Sequence, residues 1–355
     1  MFAAVLLCCL WVQETPSPNL FEPSSFFELS PEMKHFLDEN VMLYPNEYTR
    51  YNALITSIFD ENGMGMSYSN NSTTIPKETF RLRSGNCLSF TAMFISMARY
   101  CGFDCRFQEV YDLSSWTQKG NLTVFNRHMN CLLVLDGRRK EIDFNYYRKR
   151  ESRFTFPVTD LRGIAHFYNN LGAEQLSLQN GYLAKVYFEK SVETDPSFSY
   201  GWTNLGVLHR INGSFDLAED CYKRAAKLNK LDHTAVMNLV HLYNLQGKTN
   251  LAQRYEKRAK KMQEKNPFYH YALGKEAYNT GHYEAALKHL NNAVRLNDTH
   301  PEFLLSLAAV YQKTGRQEQA EELIAHAKLQ AETYEAKALY DRKLQLIAGA
   351  KANKQ

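Results

Sequence analysis

The chain has 355 residues, of which 44% are hydrophobic, and this is enough apolar material for two or three domains. Its 42 basic and 38 acidic residues leave a net charge of +4, so composition requires neither a nucleic acid nor a membrane surface as partner. The seven cysteines form no Cys-x-x-Cys pair and have no histidines at metal-site spacing. We therefore expect neither a metal nor another cofactor.

The N-terminal segment, residues 1–24, begins with an apolar run of about a dozen residues followed by a polar stretch. This run is too short to span a bilayer and fits the core of a signal peptide, although the usual basic residues before it are missing. We expect export, either to the periplasm or to a membrane through Cys8 or Cys9, with a cytoplasmic location as the alternative. In an oxidising compartment Cys101 and Cys105 could form a disulfide.

Two helices are predicted before the first functional motif, over Pro31 to Glu39 and over Asn46 to Phe59. The second has one apolar face, made of Tyr51, Leu54, Ile55 and Ile58. Asn62 and Gly63 end this pattern. A long polar loop is expected from Met64 to Thr79.

A cysteine stands at the start of the next predicted helix. Cys87 follows the turn signal Gly85-Asn86 and precedes apolar residues at helical spacing that end at Gly102. The unpaired N–H groups and partial positive charge of a helix N-terminus favour a thiolate and can hold an oxyanion beside it. A free cysteine next to an apolar run is more often a small buried hydrophobe, so Cys87 needs partners elsewhere in the chain to be a nucleophile.

Strand patterns follow this helix. The alternation from Phe103 to Phe107 predicts one strand, and a loop is expected from Ser114 to Asn126. Two further strand-like runs, His128 to Leu135 and Arg138 to Asn145, flank the dipeptide Asp136-Gly137. That dipeptide is typical of a two-residue hairpin turn.

The register of this hairpin brings an imidazole and a carboxylate together. A two-residue loop pairs Leu135 with Arg138 and places His128 and Asp143 diagonally on one face, with α-carbons roughly 7 Å apart. An imidazole can take the proton of a thiol, while a carboxylate on its other nitrogen fixes its tautomer and orientation. Each residue alone has an ordinary structural explanation. Their order on a helix, a strand and a paired strand predicts a nucleophilic site that includes Cys87.

These residues also carry a resemblance to a known family. The run from Gly85 to Arg106, followed by His128, Leu135-Asp136-Gly137 and Ile142-Asp143, resembles the core of the transglutaminase-like superfamily. The resemblance covers about residues 35 to 150. It implies an α+β, papain-like domain, which we assign to residues 25–160.

The resemblance also implies roles. Cys87 would be the nucleophile, His128 the general base and acid, and Asp143 the orienting carboxylate. The acidic calcium-binding loops and the zinc-binding Cys-x-x-Cys pairs of some superfamily members do not occur in this sequence, so no metal is implied. Whether the acceptor is an amine or water stays open.

The C-terminal half repeats with a period of 34 residues. Leucine recurs at the seventh position of each repeat and alanine at the twentieth: Leu171, Leu205, Leu239, Leu273 and Leu307, and Ala184, Ala218, Ala252, Ala286 and Ala320. Glycine is expected at the turn between helices, at Gly213, Gly247, Gly281 and Gly315. The pattern resembles the tetratricopeptide repeat (TPR). It predicts an all-α superhelix of five helix–turn–helix units over residues 165–332, with a capping helix and a tail over 333–355.

Certain positions of such arrays usually face a concave groove. Mapped onto this sequence, they predict a partner-binding surface made of Tyr200, Arg210, Phe268, Tyr271, Lys275 and Tyr278, with His166 and Asn279 at further groove positions. Aromatic rings with a few cations suit an extended peptide or the terminus of another protein. The alternative is that some of these rings pack between repeats.

The two halves together predict a thiol enzyme that acts on peptide or protein amides, by hydrolysis or acyl transfer, while the repeats recruit a protein substrate or partner. One alternative is a catalytically inactive transglutaminase-like fold within a TPR scaffold. Another is redox sensing by Cys87, which would require a resolving cysteine nearby. The presence of all three site residues in order favours the enzyme.

Overall fold

The structure is a computed structural model that describes residues 20–60, 63–69, 73–119, 122–144, 153–230, 233–331 and 337–345, with the backbone alone at 111–119, 122–127 and 153. An N-terminal region of helices and strands is followed by a helical C-terminal half, so the predicted fold classes are confirmed. The N-terminal apolar run, with Cys8 and Cys9, lies outside the described residues, as does the C-terminal tail. Within the described ranges, no helix combines the length and the apolar character that crossing a membrane requires.

In the described part of the chain, four α-helices precede the sheet: α1 (Pro31–Asn40), α2 (Glu47–Phe59), α3 (Pro76–Leu82) and α4 (Cys87–Tyr100). The first two match the predicted helices closely, and their starts are capped by the side chains of Ser30 and Asn46. The end of the predicted polar loop is wrong, because α3 begins at Pro76. Proline is well suited to the first helical position, since its fixed φ angle and missing N–H cost nothing there.

A short parallel pair, β1 (Ser67–Tyr68) and β2 (Ser84–Gly85), lies outside the sheet. Among the described residues the sheet consists of the antiparallel strands β3 (Asp104–Lys119), β4 (Leu122–Leu135), β5 (Arg138–Ile142) and β6 (Arg153–Pro157), in the order β5-β4-β3-β6. Leu135 pairs with Arg138, as predicted. Asp136 and Gly137 both have positive φ angles, of 49° and 71°, which is typical of a type I′ turn.

The predicted loop from Ser114 to Asn126 is wrong. The backbone of β3 continues as a strand to Lys119, and β4 begins at Leu122. The pairing register shifts between Tyr111 and Trp116, so an irregularity absorbs extra residues without ending the hairpin. The sequence from Trp116 to Phe125 is rich in aromatic, β-branched and other apolar residues, which favour strands over a polar loop.

Helix α4 is the central element of the N-terminal core. Every residue from Leu88 to Ala98 is buried. The helix shares its core with the sheet residues Phe107, Met129, Cys131 and Leu133. A helix that is buried all round cannot shift without disturbing the whole core, so its first residue, Cys87, is held in a fixed place.

The C-terminal half consists of helices in antiparallel pairs. They are α5 (Asp160–Ser177), α6 (Gly181–Thr194), α7 (Ser199–Ile211), α8 (Phe215–Leu228), α9 (Thr234–Leu245), α10 (Thr249–Glu264), α11 (Pro267–Asn279), α12 (Tyr283–Leu296), α13 (Pro301–Lys313) and α14 (Gln317–Leu329), and residues 337–345 are also helical. The φ angles of the four predicted turn glycines lie between 68° and 79°. Glycine adopts this left-handed conformation without a steric penalty.

Close approach explains the small residues that recur within each repeat. A Cβ atom added at Gly206 on α7 would lie 2.7 Å from the ring of Tyr222 on α8. Tyr222 is fully buried, so its ring has little room to move away. Glycine at this position therefore lets the two helices of the repeat pack in contact.

Polar contacts join the N-terminal domain to the first helix of the repeats. The guanidinium of Arg99 on α4 donates two hydrogen bonds of 2.8 Å to the Asp160 carboxylate at the start of α5. Glu109 on β3, which is buried, lies 2.8 Å from Nε2 of His166 on α5. His166, predicted to face a groove, therefore contacts the sheet instead.

A second contact reaches much farther along the chain. Phe154 on β6 is only 2% exposed and lies among four aromatic rings of the repeat array, which we call the Phe154 box. The ring centroids are 4.5 Å away for Phe268, 4.6 Å for His300, 5.4 Å for Tyr271 and 5.5 Å for Phe303. Strands β3 and β4 also contact α11 and α9 respectively. The array thus packs against the sheet through its first helix, α5, and again through α9, α11 and α13.

We expect Phe154→Ala to destabilise the protein by about 3–5 kcal/mol, because it removes a buried ring that four others surround. The measurement is the midpoint of urea unfolding, followed by circular dichroism. Phe156→Ala is the matched control on the same strand. Because Phe156 is 41% exposed, its substitution should lower the free energy of unfolding much less. Equal shifts for the two variants would contradict the role assigned to the box.

Candidate active site

The site begins at the N-terminus of α4, where Cys87 is the first helical residue and is partly exposed. The preceding residue, Asn86, caps the helix, because its side-chain oxygen accepts a hydrogen bond of 3.0 Å from the Ser89 N–H. The backbone N–H of Leu88 donates to the Cys87 sulfur. The sequence therefore places the thiol where helix N–H groups stabilise negative charge.

The edge of β4 supplies the next contact. Pairing between β4 and β5 ends at Cys131 and Ile142, so the main chain of Met129 lies beyond the ladder. Helix α4 takes the place of a strand there: Thr91 Oγ1 donates to the Met129 carbonyl at 3.2 Å, and the Met129 N–H donates to the Cys87 sulfur. The early end of β5 thus makes room for the nucleophile helix against the sheet.

His128 and Asp143 meet across this same edge. Nε2 of His128 lies 2.6 Å from Oδ1 of Asp143, and both side chains are largely buried. The next residue, Phe144, packs with its ring centroid 4.9 Å from that of Phe59 and 5.8 Å from that of Phe94. Phe144 therefore anchors the chain just after β5 and holds the Asp143 carboxylate toward the imidazole.

The imidazole of His128 also acts on the Cys87 thiol, whose pKa it lowers through hydrogen bonding and charge. With Nε2 directed to Asp143, the ring leaves Nδ1 for the sulfur. The structure therefore brings together all three residues that the sequence predicted, and we call them the Cys–His–Asp cluster. Their register follows from the two-residue hairpin turn.

Electrostatics in the cluster favours the charged pair. Burial alone would raise the pKa of the Cys87 thiol, but the hydrogen bond and charge of His128, with the N–H groups of Met129 and Leu88, lower it below its ordinary value. Burial also opposes charge on His128, yet hydrogen bonds to Asp143 and Cys87 raise its pKa to about 9. The arrangement can hold a thiolate next to an imidazolium at neutral pH, which is a nucleophile beside a proton donor.

A further set of residues, which the sequence did not predict, forms hydrogen bonds with the start of α4 next to the Cys–His–Asp cluster. Thr73 accepts a hydrogen bond of 2.7 Å from Asn86 Nδ2 and donates its own hydroxyl to Glu174 on α5. The Thr74 N–H donates to Ser89 Oγ at 2.8 Å. The N-cap role of Asn86 could have been predicted from its position, but nothing in the sequence pattern pairs Thr73 with Glu174.

The predicted groove residues do not form one open surface. Phe268 and Tyr271 line the Phe154 box and contact the chain's own sheet, so at these two positions the expectation of a free partner surface is corrected. Tyr200 accepts a hydrogen bond from Asn229, and the ring of Tyr278 packs 5.8 Å from that of Tyr283. Arg210 and Lys275 are half-buried. Partner binding by these last four groove residues stays a prediction.

The described cysteines carry free thiols, so the Cys101–Cys105 disulfide that the sequence allowed is not present. Burial raises the pKa of Cys101 to about 12 and that of Cys221 to about 11. Among the described residues no group of three or more His, Cys, Asp or Glu side chains is placed to hold a metal ion. Among the described cysteines whose thiol pKa is shifted, Cys87 is the one whose pKa is lowered.

Comparison with solved structures finds helical repeat proteins. Cut9–Hcn1 of the APC/C is 23% identical over 53% of this chain, with a TM-score of 0.27. The match spans 37% of the length of the Cut9–Hcn1 chain. TTC0263, a thermophilic TPR protein of Thermus thermophilus, is 21% identical over 51% of this chain and 99% of its own, with a TM-score of 0.26. PilF of Pseudomonas aeruginosa is 20% identical over 54% of this chain and 87% of its own, with a TM-score of 0.27.

No curated protein matches the chain significantly. Family profiles do match both halves. The transglutaminase-like superfamily profile matches residues 37–139, which include Cys87 and His128. Tetratricopeptide repeat profiles match residues 200–230 and 278–342. The chain therefore contains a transglutaminase-like superfamily domain at residues 37–139, followed by tetratricopeptide repeats between residues 200 and 342.

Proposed function

We propose that this protein is a thiol enzyme that cleaves or transfers the acyl group of a peptide or protein amide. The Cys87 sulfur attacks the amide carbonyl, His128 donates its proton to the leaving amine, and an amine or a water molecule resolves the thioester. Asp143 holds the imidazole in position throughout. The TPR array recruits a protein partner or substrate.

The observation that carries this proposal is the 2.6 Å contact between the His128 imidazole and the Asp143 carboxylate, with the Cys87 thiol within electrostatic reach of the same imidazole. The lowered thiol pKa and raised imidazole pKa are the directions that a thiolate–imidazolium pair requires. An inert cysteine in a core would instead resemble Cys101, whose thiol pKa is strongly raised.

Substrate size also follows from the surroundings. Cys87 is the first residue of α4 and is partly exposed, whereas the residues that follow it in the helix are buried, so a substrate would approach the thiol from the N-terminal end of this helix. TPR arrays commonly bind extended segments of other proteins, which suits a polypeptide acyl donor better than a small free amide.

The test is direct detection of the thioester. The protein is mixed with a pool of short peptide amides and activated peptide esters, quenched in acid and analysed by intact-mass spectrometry. An acyl mass located on Cys87 supports the proposal, and adding a primary amine to the mixture distinguishes transfer from hydrolysis. If no acyl mass forms and iodoacetamide labels Cys87 with the pH profile of an ordinary thiol, the proposal is wrong.

A further inference from the structure

Three polar groups form a directed connection between the repeat array and the nucleophile helix. Asn86 Nδ2 donates to Thr73 Oγ1 at 2.7 Å, and the Thr73 hydroxyl donates onward to Glu174 Oε1 on α5. The Thr73 N–H donates to the same carboxylate oxygen at 3.1 Å. A hydroxyl has a single proton, so giving it to Glu174 leaves only lone pairs of Thr73 to face Asn86.

That polarity decides which way the Asn86 amide points. An amide that gives its N–H₂ group to Thr73 must turn its oxygen the other way, toward the Ser89 N–H that it caps at 3.0 Å. A Thr73 hydroxyl with no acceptor at Glu174 could instead donate to Asn86, and the turned amide would then present N–H₂ to the Ser89 N–H. The cap of α4 would be lost one residue before Cys87.

A partly buried carboxylate such as that of Glu174 costs free energy of folding unless it accepts hydrogen bonds. Its side chain is half-buried, burial raises its pKa, and the described residues provide no cation within ion-pair distance of it. Its hydrogen-bond donors in the described structure are the two groups of Thr73. A neutral side chain would pack there at lower cost, so the value of the carboxylate lies in orienting Thr73.

We propose that Glu174, on the first helix of the repeat array, is a positioning residue for the Cys87 nucleophile and acts through Thr73 and Asn86. This inference rests on the proposed function, and it assigns the repeats a part in building the site as well as in binding a partner. Removing them, or shifting α5, would release the cap of the nucleophile helix.

The experiment measures the rate of Cys87 alkylation by iodoacetamide against pH in the full-length chain, with peptide mapping to follow that cysteine alone. Glu174→Met is expected to move the midpoint of the profile upward by about half to one pH unit, which corresponds to the loss of one helix cap. Glu174→Gln keeps an acceptor oxygen for Thr73, so its midpoint should stay close to that of the unsubstituted protein. Glu189→Met, on an exposed pair with Lys185 in the same repeat, is the matched control and should leave the profile in place.

Thr73→Val provides a second variant in case Glu174→Met folds poorly. It leaves Asn86 Nδ2 without its acceptor but provides no hydroxyl that could donate to the amide oxygen. Thr73→Val should therefore move the midpoint upward by less than Glu174→Met does, and adding it to Glu174→Met should reduce the shift of that variant, because the two changes act on one connection. A lower melting temperature with an unmoved alkylation profile would show that Glu174 only stabilises the fold, and would overturn the inference. An ordinary thiol profile in the unsubstituted protein would instead overturn the proposed function.

Discussion

Cys87→Ser is expected to lower acyl-transfer or hydrolytic turnover by at least about 10⁴-fold and to abolish rapid alkylation, because a serine hydroxyl is not ionised by the imidazole. His128→Gln should lower turnover by about 10²–10⁴-fold, the usual contribution of a general acid and base. It should also return the labelling midpoint of Cys87 toward that of a free thiol, since the hydrogen bond and charge of His128 are the largest effects that lower its pKa. Turnover and alkylation should be measured on the same preparations.

Cys221→Ser is the matched control for these variants. Cys221 is buried among the repeats, and its thiol pKa is raised to about 11, so we expect it neither to label quickly nor to contribute to turnover. Its replacement should leave both measurements within about twofold of the unsubstituted chain, since a distant site couples weakly to the cluster. Rapid labelling that persists in Cys87→Ser would contradict the assignment of the reactive thiol.

Asp143→Asn is expected to reduce turnover by about 10²–10⁴-fold while leaving the fold intact, because an amide can hold the imidazole in the wrong tautomer. The pH profile should change with it. In the unsubstituted protein the thiolate–imidazolium pair exists above the lowered pKa of Cys87 and is lost as pH rises through the pKa of His128, about 9. Without the carboxylate the pKa of His128 falls, so the alkaline limb should move to lower pH.

Glu141→Gln tests whether this effect is specific to Asp143. Glu141 lies on β5, two residues before Asp143, and is exposed, and its carboxylate accepts a hydrogen bond of 3.1 Å from Thr155. This substitution makes the same change of charge without touching the imidazole, so both limbs of the profile should stay in place. An alkaline limb that is unmoved in Asp143→Asn would mean that another group sets the protonation of His128.

The predictable parts of the site are those set by local signals. The Gly85-Asn86 turn followed by helical spacing indicated the start of α4, and Asp136-Gly137 fixed the register that places His128 beside Asp143. Both signals act within a few residues, so a single sequence is enough to interpret them. The repeat period of the C-terminal half is similarly local, because each unit contacts mainly its neighbours.

The parts that could not be predicted depend on contacts between distant segments. Helix α3 and the long β3–β4 hairpin have no strong periodic pattern, and packing decides them. Glu174 and Phe154 look like ordinary surface and strand residues in the sequence. Their roles appear only when α5 meets the loop at Thr73 and when β6 meets α11 and α13.

The contact of Phe154 with its box has a consequence for biosynthesis. A repeat array usually folds one repeat at a time during synthesis, since each repeat contacts mainly its neighbours in the sequence. Here the last partners of Phe154, His300 and Phe303, emerge when most of the polypeptide has been translated. During synthesis the ring of Phe154 therefore stays exposed until these partners have been made. Contacts between residues so far apart in the sequence raise the contact order of the chain and slow the final folding step. Truncation before α13 should leave an aggregation-prone chain rather than a shorter functional one.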